Sequence, residues 1–163
     1  MKPCTFFISE LRSLYQAEQQ SLQTIARMAE LASSDKLSDL FSARLPTIQQ
    51  HLQRIEQVFA LVEAPPQAKK SEAMEGLIAE TNTVINESAN TPQFDAALIS
   101  CAQKGTHYKI ACYGCLCSWS YVMNLQPILE LLKVNLQECK AFNVALSEIA
   151  QNEINIDAFS LTP

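Results

Sequence analysis

Three observations predict an all-α fold of four long helices and one shorter one. Only 3 of 163 residues are Gly, 48% are hydrophobic, and Leu, Ala, Gln and Glu abound, a composition that favours helix over sandwich or barrel. Apolar residues recur at three- and four-residue spacing over long windows instead of alternating. Short polar or proline-bearing stretches with cap chemistry separate those windows. The length fits one domain over residues 1–163, able to bury a core without disulfides.

The first helix spans about Thr5 to Ser33, with Phe7, Leu11, Leu14, Glu18, Leu22, Ile25 and Ala29 on one face, so Glu18 points inward. Ser33-Ser34-Asp35 supplies stop and N-cap chemistry. The second helix carries Leu37, Phe41, Ile48, Leu52, Ile55, Phe59 and Val62, with His51 on the shoulder of that stripe and Pro46 expected to kink the turn before it. Residues Glu63 to Lys70 form a loop, after which Ser71 caps a shorter helix to about Ser88 with Met74, Leu77, Ile78 and Ile85 inward. Thr91-Pro92 reads as N-cap and first helical position of the fourth helix, which runs to about residue 123. The last helix starts near Pro127, turns Ile128, Leu132, Asn135, Cys139, Phe142, Leu146 and Ile149 inward, and ends near Asn152. That makes residues 5–152 an ordered bundle and 153–163 a loose tail. Each long helix measures roughly 40 Å, and four such helices with one short connector make a four-helix bundle.

The net charge of -5 comes without a Lys/Arg block, which argues against nucleic acid as a partner. The N-terminus turns polar too early for a secretory signal, so a cytoplasmic location is expected. Six cysteines are then expected to be reduced thiols. Residues Ile110 to Leu129 lack charge, yet Asn124, Gln126 and Pro127 break the run, so no membrane span is expected.

One residue disturbs the pattern. Lys109 falls in the stripe Leu98, Ala102, Gly105, Lys109, Cys112, Leu116, Met123. An ammonium out of water needs an acidic partner or must lose its proton.

Tyr15-Gln16-Ala17-Glu18-Gln19-Gln20, Arg54-Ile55-Glu56-Gln57-Val58-Phe59, Ala73 to Glu80, Asp95 to Ile99, and His107-Tyr108 with Ile110 to Gly114 follow in order along nearly the whole chain. In these motifs the sequence resembles the YciE/YciF-type ferritin-like family. That resemblance implies a bacterial, stress-associated ferritin-like four-helix bundle, a homodimer, and a two-metal site held by inward carboxylates with a histidine or amide. Glu18 matches the carboxylate of the first helix, and His51 falls where the family has His or Gln. Other positions depart from the pattern: Pro46-Thr47 replaces a Glu of the second helix, Thr106 and Lys109 flank His107-Tyr108 where the family has Glu, and Cys139 and Phe142 follow Glu138 where it has Glu and Asp.

Thr47, Thr106, Lys109, Cys139 and Phe142 are thus substituted ligand positions. A di-iron site is expected to be lost, with Lys109 paired to Glu18, or failing that Glu138, in place of the metal. No cofactor and no catalysis are expected. The contrary expectation is a metal-dependent oxidase or iron-handling protein with one Fe or Mn held by Glu18, His51, Glu80 and Glu138. The plainer account of Lys109 is a stem lying on apolar surface with its ammonium at the water.

Cys112, Cys115, Cys117 and Cys139 with His107 could suggest a thiolate site, but their helical angles diverge and small buried hydrophobes explain the cysteines better. A nucleophilic Cys139 would need Lys109 or His51 as base and a way in for substrate. A second apolar row, Ile99, Ile110, Cys117 and Tyr121, is expected to serve a homodimer or protein-partner interface where the short helix does not cover it.

Overall fold

The computed structural model describes residues 4–160. Its long helices are α1 (Thr5–Leu31), α2 (Asp35–Leu61), α4 (Phe94–Val122) and α5 (Gln126–Ile149), with the shorter α3 (Glu72–Ser88) between the second and third. Short links join α1 to α2 and α4 to α5, and α3 lies within the one long crossover from α2 to α4. The four long helices close a ring in which α1 packs on α2, α2 on α5, α5 on α4 and α4 on α1, while α3 lies against α4 and α1. Two hairpins joined by one long crossover is the ferritin-like arrangement.

Local chemistry sets most boundaries. Ser34 Oγ accepts the Leu37 N–H at the start of α2 and Ser71 Oγ accepts the Met74 N–H at the start of α3, satisfying end donors that no helical carbonyl can reach. Asp95, in the first turn of α4, ties that helix to the α1–α2 link, its carboxylate accepting the Ser33 and Ser34 N–H groups at 2.8 Å.

Two boundaries differ from expectation. The fourth helix begins at Phe94, not at Pro92, because Thr91 gives its hydroxyl proton to the Ser88 carbonyl and Asn90 takes a positive φ of 64°, extending the turn. The expected loose tail is also corrected over its described part. A π-helical turn, Ala150–Ile154, leads into α6, Asn155–Phe159, and Ala150, Ile154 and Ala158 are buried. Gln93 donates to the Ala158 carbonyl at 2.7 Å and Lys36 pairs with Glu153, pinning this segment to the bundle. Residues 161–163 of that expectation lie outside the described residues.

A polar layer divides the core in two. One apolar cluster gathers Ile25, Met28, Phe41, Ile48, Leu98 and Phe142, and the other gathers Leu14, Ile55, Phe59, Tyr113, Leu132 and Cys139. Between them each long helix contributes polar groups: Glu18 from α1, His51 from α2, Lys109 from α4 and Asn135 from α5, each at most 3% exposed. Among the described residues no helix is long and apolar enough to cross a membrane.

Candidate functional site: the polar layer

Glu18 is the hub. Its Oε2 accepts from Lys109 Nζ at 3.0 Å, while its Oε1 accepts from Tyr113 OH at 2.8 Å and lies 2.9 Å from His51 Nδ1. Lys109 and Tyr113 reach it together because they are one helical turn apart on α4. Burial pushes the Glu18 carboxyl upward, but the Lys109 charge and hydrogen bonds from His51 and Tyr113 outweigh it and hold the group well below the usual carboxylate range. Tyr113 moves the other way, raised well above 10.0 by burial and then by the Glu18 charge, so its phenol keeps its proton and donates.

His51 bridges to a second carboxylate, Glu138, with Nε2 3.0 Å from Oε2. Each ring nitrogen thus faces a carboxylate, and which of them donates depends on the tautomer. Glu138 is half-buried and also takes Arg54 Nη1 at 2.6 Å, so Glu138 belongs to Arg54 and His51 and the lysine goes to Glu18. Asn135 locks the layer: its amide donates to the His51 carbonyl at 3.2 Å and to Tyr113 OH at 3.1 Å, and its oxygen accepts from Arg54 at 2.8 Å.

The other positions that the resemblance marks as substituted are Thr47, Thr106, Cys139 and Phe142. Thr106 is buried and returns its hydroxyl proton to the Ala102 carbonyl. Thr47 and Phe142 line a shallow groove with Arg44 and Glu138. Cys139 is fully buried, and burial raises its thiol above 9.0 against the opposing pull of Lys109, which disfavours the thiolate a nucleophile needs.

Arg44 is the residue the sequence reading missed. It is 5% exposed, reaches the Glu138 carbonyl at 3.1 Å and Cys139 Sγ at 3.4 Å, and stacks over the Phe142 ring at 4.8 Å. The signal was available, since Arg44 falls three after Phe41 and four before Ile48 in the apolar stripe. Arg54 and Tyr113 were visible as motif residues whose contacts were not.

Glu80 is a correction. It sits on α3 at the surface and pairs with Lys104, away from the layer, because its side of that helix faces water. His107 is exposed, and the six cysteines are free thiols. The anticipated interface row is also largely closed within the chain. Ile99 is 3% and Cys117 9% exposed, Ile110 packs on the core's edge, and Tyr121 alone of the four stands open at 72%. Ile99 shares a concavity with Phe159 of α6, the segment expected to be loose.

A two-metal centre does not fit these residues. Among the described residues the one set of three ligand-type groups close enough to share an ion is Glu18, His51 and Cys139, within 4.8 Å of one another. Lys109, Arg44 and Arg54 bring three fixed cations into the same space, and a dication placed there meets their charge. Thr47, Thr106, Cys139 and Phe142 supply no carboxylate that could bridge two cations.

The family described as "Domain of unknown function (DUF892)" matches residues 2–159. Protein YciF of Escherichia coli K12 is 39% identical over 153 residues, covering 91% of this chain and 90% of that protein. The crystal structure of the E. coli stress protein YciF superposes with a TM-score of 0.86 at 38% identity, covering 92% of this chain and 95% of that one. A putative structural protein, YcfI of Rhodopseudomonas palustris, gives 0.84 at 34% identity over 87% and 90% of the two chains. The chain therefore belongs to the DUF892 family, as a YciF-type ferritin-like bundle.

Proposed function

We infer that this protein is a ferritin-like bundle that works without a metal, acting by binding or assembly in a stress-related setting and not by redox catalysis. The observation that carries this reading is the Lys109–Glu18 pair: the ammonium stands at a substituted ligand position and supplies the charge that balances the buried carboxylate. Arg44 and Arg54 support it by adding positive charge where a metal protein concentrates negative charge. The stress-related setting rests on the relative named as a stress protein, and the assembly role on the one named as a putative structural protein.

Metal content after expression in iron- and manganese-supplemented medium tests the reading. Substoichiometric metal is expected in the purified chain, and one tightly held ion per chain would overturn it. The second reading, a single metal held by Glu18, His51 and Cys139, is favoured by their mutual proximity. A thiol and an imidazole in that set suit zinc or ferrous iron better than manganese.

For assembly we propose a homodimer through the exposed apolar end of the bundle, where Phe6 and Trp119 rings pack at 5.3 Å beside Val122, and Tyr121 stands open on the same last turn of α4. A cytoplasmic location remains part of this proposal, supported by the six cysteines being unpaired in the structure.

A further inference from the structure

Arg44 carries a buried charge that the Lys109–Glu18 pair leaves unbalanced. Among the described residues no carboxylate lies within ion-pair distance of it; its partners are a main-chain carbonyl, a thiol and the face of a phenyl ring. Its Nε is sealed from solvent and has no hydrogen-bond acceptor. An uncompensated buried charge and an orphaned buried N–H are each unfavourable, and one missing group outside the chain accounts for both.

A cavity of about 30 Å³ adjoins it between α1, α3 and α4. Arg44 and Lys109 both reach its wall, which is otherwise mostly apolar, with Ile25, Met28, Met74 and Phe142 among its lining. Lys109 has three N–H donors and uses one on Glu18, so the cavity has donors from two cations. Across the layer three fixed cations, Lys109, Arg44 and Arg54, face two carboxylates, Glu18 and Glu138.

We propose that this cavity binds a small monovalent anion of the halide class, chloride in nature, held by Arg44 Nε and the remaining ammonium protons of Lys109. Its volume is on the order of one to a few water molecules, which suits a monatomic ion. Sulfate and phosphate are larger and more strongly hydrated, and the wall offers them too few donors, since its Thr24, Thr81 and Thr106 hydroxyls already donate to the Gln20, Leu77 and Ala102 carbonyls. A water molecule in the same place completes the Nε hydrogen bond but leaves the charge unbalanced. The site depends on the metal-free reading, since an ion on Glu18, His51 and Cys139 would draw Glu18 away from Lys109. Metal analysis and anion binding are separate readouts, so either can fail alone.

The test uses the full chain, crystallised without chloride and transferred to sodium bromide. Anomalous scattering at the bromine edge is expected to give a peak in the cavity, within hydrogen-bond reach of Arg44 Nε and Lys109 Nζ. No peak there, with density that refines as water, or peaks at surface lysines alone, an adventitious ion only, would overturn the proposal. In solution, thermal unfolding at constant ionic strength, with bromide replacing gluconate, should show a saturable stabilisation. Bromide at ten times its Kd raises the folded-to-unfolded ratio about elevenfold, and Arg44→Met should abolish that response. If Arg44→Met does not fold, the bromide map of the native chain decides.

Discussion

Lys109 Nζ and Glu18 Oε2 lie 3.0 Å apart across the bundle, with side chains 4% and 0% exposed, joining helices whose pairing residues are 91 positions apart in the chain. A pair this deep gains from mutual attraction in a low-dielectric interior and loses from desolvation, so its net worth is small while the cost of breaking it is large.

Removing one partner exposes that asymmetry. Lys109→Met should lower the unfolding free energy by ~3 kcal/mol or more, because Glu18 is left charged and short of its cation. Adding Glu18→Gln should recover much of the loss, a coupling that urea denaturation of the two single variants and the double variant measures. An effect near zero for Lys109→Met, or no rescue, would place the ammonium in water instead.

Acid should find the same residue. Glu18 is held well below the ordinary carboxyl value of 4.5, since the Lys109 charge and the His51 and Tyr113 hydrogen bonds outweigh the upward push of burial. The unfolded chain therefore takes up the proton first as pH falls. The stability that Glu18 contributes is complete above about pH 5 and drains away through the acid range below it. Urea midpoints from neutral pH downward should fall more steeply for the native chain than for Glu18→Gln; equal slopes would show that Glu18 ionisation is not coupled to folding.

The cysteines should separate by burial. Cys4 and Cys115 are exposed, Cys112 is half-buried, and Cys101, Cys117 and Cys139 are buried. Burial also raises the Cys101, Cys112, Cys117 and Cys139 thiols above 9.0, lowering their thiolate fraction. A thiol reagent at neutral pH should react quickly with Cys4 and Cys115, and with the rest only after denaturation. Fast labelling of Cys139 would mean that the polar layer opens to solvent.

Assembly can be probed at the exposed end. Tyr121 and Val122 are 72% and 73% exposed on the last turn of α4. If this end forms the homodimer, Tyr121→Glu with Val122→Glu should convert a dimeric mass in light scattering to a monomeric one at unchanged helicity. A native chain that is monomeric at micromolar concentration would remove the proposal.

Much of this architecture was legible in the sequence. A 3.6-residue repeat reports which face of a helix turns inward, so Glu18, Lys109, Cys139 and Phe142 were placed in the interior without a structure. Ser34 and Ser71 marked helix starts because their hydroxyls satisfy orphaned end donors. The family motifs added Glu18 and His51 as neighbours in the layer. Periodicity was less informative at the end of the chain, where the π-helical turn at Ala150–Ile154 changes the repeat and lets Ile154 and Ala158 pack after the simple 3.6 pattern has ended.

What the sequence by itself determined is the helical class, the inward faces and the presence of a cation among them. Tertiary structure chose between the two carboxylates open to Lys109, giving it Glu18, and alone decided the other partners: Glu138 with His51 and Arg54, Glu80 at the surface with Lys104, and Arg44 over Phe142 without a carboxylate. The reason is geometric. A helix encodes its own apolar face, but its axial register against a neighbour is set by packing of the whole bundle. A slide of one residue moves every side chain of a helix about 1.5 Å along the bundle, enough to break a hydrogen bond across the layer.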